Sequence, residues 1–110
     1  MSEPTMDMEA FVASLDAATP PIEANMALRA LWYDANGKDA SALRAAEADD
    51  GLNSQRVRGY LYRKAGNAGK ARIAYWKAGV KPWDGSLDDE GRDILQAIMT
   101  EFPGASAYGA

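Results

Sequence analysis

The chain has 110 residues, 47% of them apolar, and carries 12 Lys plus Arg against 16 Asp plus Glu for a formal charge of −4. That length supports one domain, residues 1–110, with a core that stands without disulfide or metal staples. The absence of Cys and His excludes thiol nucleophiles, Ser-His-Asp arrangements and the usual zinc ligands, leaving carboxylates, Lys, Arg and Tyr for any chemistry.

Apolar residues recur at three and four positions and never alternate like a strand, so every element is predicted helical. The first helix, over 5–17, takes Thr5 as N-cap, places Asp7 and Glu9 at its positive end and gathers Met8, Phe11, Val12 and Leu15 on one face. A hairpin over 20–49 follows. Its first helix is capped by Thr19, has Pro20 and Pro21 in the opening turn, and buries two stripes, Leu28-Leu31-Trp32-Ala35 and Met26-Ala30-Tyr33. Asn36-Gly37-Lys38 turns into an Ala-rich helix that Gly51 stops.

The second hairpin spans 53–79. Asn53 or Ser54 caps a helix bearing Val57, Tyr60 and Leu61, Gly66-Asn67 turns, and a helix over 68–78 presents Ala71, Tyr75 and Ala78. After a loop at 81–85, Ser86 opens the last helix, 86–102, with Asp89 three residues on and Leu87, Ile94, Leu95, Ile98 and Phe102 as its core stripe. Pro103 ends it, and 103–110 forms a flexible tail in which Tyr108 is the one docking candidate. With Ala30 laid over Gly59, Tyr33 falls on Tyr62, Gly37 on Gly66 and Ala42 on Ala71. The small residues let the helices of each hairpin approach closely, and the tyrosines fill the space beside them.

Gly59, Tyr62, Ala71, Tyr75 and Ala78 resemble the small-aromatic and spaced-alanine pattern of the tetratricopeptide repeat. The first unit departs from it at Ala46 and Asp49, and the period is shorter than the family's roughly 34 residues. The resemblance implies an all-α, right-handed array of about six helices in antiparallel hairpins. Leu31-Trp32-Tyr33-Asp34-Ala35-Asn36-Gly37, Tyr60-Leu61-Tyr62-Arg63-Lys64-Ala65-Gly66-Asn67 and Ala74-Tyr75-Trp76-Lys77-Ala78-Gly79 are also similar to a family of small bacterial helical proteins with no assigned activity. Two His four apart in that family are Arg58 and Tyr62 here, so no metal site carries over.

Charge is segregated. Residues 51–83 hold eight cations, Arg56, Arg58, Arg63, Lys64, Lys70, Arg72, Lys77 and Lys81, and no acid, while the rest holds four basic and sixteen acidic residues. Arg56, Tyr60, Arg63 and Lys64 fall on one helical face, which in tetratricopeptide proteins lines the concave groove. Three readings compete: the face binds an acidic peptide or protein segment, a C-terminal carboxylate or another anion, with Tyr60 as a stacking wall; it packs on the acidic first and last helices and is neutralised there; or it takes a nucleic-acid or phosphate ligand. The first implies a non-catalytic interaction module. Trp83, in the loop between basic and acidic regions, is the aromatic expected to be exposed, as a partner anchor or as a cap on the end of the hairpin stack, while helix packing is the expectation for most of the others. Met99 on the last helix is a candidate homodimer contact.

Other signals are weaker. The glycine spacing at Gly66-Asn67-Ala68-Gly69-Lys70 is wrong for a phosphate loop, 34–45 lacks the closing Glu of a calcium loop, and the acids Asp88, Asp89, Glu90 and Asp93 are more simply partners of a helix dipole than a metal site. No cofactor is implied. The acidic balance disfavours nucleic acid and membrane surfaces, and no apolar run reaches signal or spanning length, so the expected setting is the cytoplasm.

Overall fold

The computed structural model describes residues 8–21 and 24–100, and every regular element among them is a helix. They are α1 (Met8–Ser14), α2 (Met26–Ala35), α3 (Asp39–Glu47), α4 (Leu52–Lys64), α5 (Ala68–Ala78) and α6 (Leu87–Thr100). The expected cap at Thr5, the contribution of Asp7, the closing residues Phe102 and Pro103 and the tail with Tyr108 lie outside the described residues.

Two helix starts differ from expectation. α2 begins at Met26 instead of Pro20, because Asn25 is extended and its side chain accepts the Leu28 N–H at 2.9 Å. Thr19 and Pro20 each precede a proline, which disfavours helical backbone at both. α4 begins at Leu52, ahead of Asn53 and Ser54. Here Asp49 acts from outside the helix: its Oδ2 accepts the Gly51 N–H at 3.3 Å and the Ser54 hydroxyl at 2.8 Å, folding the chain back before Asn53. Gly51 does not stop α3, which ends at Glu47 with Ala48 as its C-cap, and instead stands in extended backbone as the N-cap of α4. Asn67 accepts the Lys70 N–H at 3.1 Å at the head of α5, and Ser86 accepts the Asp89 N–H at 3.0 Å at the head of α6.

Gly37 and Gly66 occupy corresponding turns, with φ of +74° and +83°, a left-handed conformation that only glycine adopts at little cost. Each turn folds a helix back on its predecessor, so α2 packs on α3 and α5 on α4. α4 also touches α2, α3 and α6 and is therefore the central helix. The small positions anticipated from the internal repeat are buried where helices meet: Ala30 and Ala42 are fully buried, and a Cβ on Gly59 would stand 2.8 Å from the Tyr75 ring. Around these, Phe11, Leu28, Leu31, Trp32, Val57, Leu61, Ile94 and Ile98 form one core. Met99, expected to be exposed, is part-buried against that core.

Candidate functional site

The face of α4 that carries Arg56, Tyr60, Arg63 and Lys64 is brought together as expected, but α6 and the end of α2 lie against it. Arg56 pairs with Asp93 at 2.7 Å and Arg63 with Glu90 at 2.8 Å, while Tyr60 donates to Asp34 at 2.7 Å and Lys64 reaches the other oxygen of Asp34 at 2.6 Å. Glu90 is 1% exposed and also accepts the Tyr75 hydroxyl at 2.5 Å. Arg63 additionally donates to the Gly85 carbonyl, which ties the loop before α6 to α4. This is the internally neutralised arrangement, but among the described residues its acids come from α6 and from Asp34 of α2, with none supplied by the first helix. The acidic run of α6 does not converge on one point: Glu90 turns inward, Asp93 meets Arg56 and Asp89 meets Arg92 at 3.3 Å.

Burial and hydrogen bonding raise several pKa values in this network. The Tyr60 and Tyr75 phenols are pushed up first by burial and then by their bonds to Asp34 and Glu90, and Tyr62 is raised by burial and by its bond to Glu47. Lys64 is raised chiefly by its hydrogen bond to Asp34. A folded-state pKa above the unfolded value contributes stability that is complete below the unfolded value and is lost as pH rises toward the folded one. Free phenols titrate near about 10. The urea midpoint should therefore fall steeply above about pH 10, and Tyr60→Phe and Tyr75→Phe should flatten that alkaline limb.

Arg58 does something the sequence did not signal. Its Nε donates to the Ala46 carbonyl at 2.9 Å and its Nη2 to the Asp49 carbonyl at 2.7 Å, closing the C-terminal end of α3, and it pairs with Asp50 at 3.3 Å. All four cations of α4 thus hold an acid. Among the described residues, none of Lys70, Arg72, Lys77 and Lys81 does.

The aromatic assignments also change. Trp83 is half-buried, with its indole nitrogen enclosed against Gly85, whereas Trp76 on α5 is 77% exposed. Ile73 is 56% exposed beside it, and Val80 and Leu52 are exposed on the same hairpin. Lys70 sits 5.6 Å over the Tyr62 ring, at the edge of a cleft of about 130 Å³ that Arg58, Ile73 and Lys77 also line. The outward side of α5 is therefore cationic and aromatic together. Trp76 is exposed although helix packing is the expectation for an aromatic at such a position; its spacing from Ala71, Ala74, Tyr75 and Ala78, which are all buried, is the signal that separates it.

Among the described residues no helix is long and apolar enough to cross a membrane. Compared with known proteins, the chain matches no family, no curated protein and no solved structure.

Proposed function

We propose that this chain is a non-catalytic, tetratricopeptide-like interaction module that binds an acidic segment of a partner protein, and that it does so with the α5 cations that hold no acid among the described residues. The observation that carries this reading is the partition of charge within one hairpin. The cations of α4 are consumed by Asp34, Asp50, Glu90 and Asp93, while Lys70, Arg72 and Lys77 surround an exposed Trp76 and Ile73 on α5. Exposed Trp and Ile give a partner apolar area to bury, and the Lys and Arg around them steer an acidic chain and reject a basic one. The Arg56, Tyr60, Arg63 and Lys64 face supports the module instead by holding α6 and the end of α2, and Trp83 packs within the loop before α6.

A fluorescent peptide rich in Glu with interspersed Leu tests the reading by anisotropy. It should bind at low salt and weaken strongly at high salt, because the cations it meets are solvent-exposed. Lys70→Glu with Lys77→Glu should abolish binding without unfolding the chain. Arg56→Glu, facing Asp93, should loosen α6 and leave peptide affinity near that of the parent. Failure of the parent to bind at low salt would overturn the proposal.

A further inference from the structure

The partner class can be narrowed from the geometry of α5, an inference that rests on the interaction reading above. Ala71, Ala74, Tyr75 and Ala78 face α4 and are buried. On the opposite side Gly69, Ile73 and Trp76 stand at i, i+4 and i+7, and the helix then closes at Gly79, whose left-handed φ of +74° takes the chain out of the helical phase. That is the alternating four-and-three repeat of a coiled-coil seam. Lys70 and Lys77 directly follow seam positions and Arg72 directly precedes one, so all three fall where flanking e and g charges stand in such a seam. Gly69 presents no side chain, and space around its Cα is open apart from the Asn67 side chain, which permits close approach of a second backbone.

We infer that the outward face of α5 is one half of a two-helix seam, and that its occupant is an acidic amphipathic helix of a partner protein. That helix presents apolar residues at its own seam positions and Glu or Asp at the flanks, opposite Lys70, Arg72 and Lys77. A second copy of this chain is disfavoured, because two α5 faces brought together set the same three cations against one another. An extended acidic peptide meets the charges but leaves the ridge of Ile73 and Trp76 without an interdigitating partner.

Two synthetic peptides of identical composition distinguish the possibilities: one with Leu at the seam and Glu at the flanks over about two to three heptads, the other in scrambled order. The ordered peptide should bind and gain helicity by circular dichroism, and the scrambled one should bind about tenfold or more weaker. Lys70→Glu with Lys77→Glu should lose the Glu peptide and acquire its Lys-flanked counterpart, a charge swap that a merely misfolded variant does not produce. Trp76→Ala, at an exposed position, should weaken binding while leaving the fold intact. Equal binding of ordered and scrambled peptides overturns the helical partner and leaves the acidic-segment reading standing. Binding of neither overturns both, as does capture of the parent by phosphatidylserine vesicles when neither peptide binds. Self-association removed by Ile73→Glu assigns the face to a second copy and overturns the inference.

Discussion

Replacing Glu90 with alanine should lower stability by about 3–5 kcal/mol, measured by urea unfolding at neutral pH. The carboxylate is 1% exposed and stands where α4, α5 and α6 meet, with one oxygen taking Arg63 and the other Tyr75. Its removal leaves a guanidinium and a phenol turned toward an apolar interior without their acceptor, and the cost is dominated by those unpaired groups. Arg63 is partly accessible and keeps the Gly85 carbonyl, so the lower end of the range is expected. Glu90→Gln retains an acceptor and should cost less. The combined replacement of Arg63, Tyr75 and Glu90 by Met, Phe and Leu should recover most of the loss, since no polar group is then left behind. A loss below about 1 kcal/mol for Glu90→Ala would show that the network does not hold α6.

Trp32→Ala should cost a similar amount, about 3–5 kcal/mol. The ring is 1% exposed, stands edge-on to Tyr33 with centroids 5.4 Å apart, and donates its indole N–H to the Ser14 carbonyl at 3.1 Å. It therefore does two things: it fills the core and it fastens the end of α1. Trp32→Phe separates them, retaining most of the buried area and losing only the hydrogen bond, for about 0.5–1.5 kcal/mol. For a domain of this size the alanine variant removes a large fraction of total stability, and its thermal midpoint should drop accordingly. If Phe and Ala cost the same, the indole hydrogen bond rather than the ring volume governs the site.

The number, order and hairpin pairing of the helices were legible because each carries an apolar period and each turn carries Gly37, Gly66 or a capping side chain. The starts of α2 and α4 were not. A local rule favoured Pro20 and Ser54, but Asn25 lies nearer the first packed residue, and Asp49 captures the Ser54 hydroxyl from outside the helix. The charge segregation was visible, yet its meaning was not, because a sequence does not show that Asp34, Glu90 and Asp93 return to the α4 cations from distant positions. For α5 the clue was present: Gly69, Ile73 and Trp76 recur on the side opposite the alanines that anchor the helix, with Lys70 and Lys77 beside them.

Arg58 gives the two hairpins a common fate. The carbonyls of Ala46 and Asp49, at the close of α3, receive their hydrogen bonds from a side chain on α4. A helix whose end is completed by the next hairpin is not finished when its own turn has formed, so the first hairpin gains its last hydrogen bonds only as the second docks. Arrays of helical pairs commonly fray one unit at a time from an open end. In this chain that mode is suppressed at the junction, and the two units should melt as a single cooperative block.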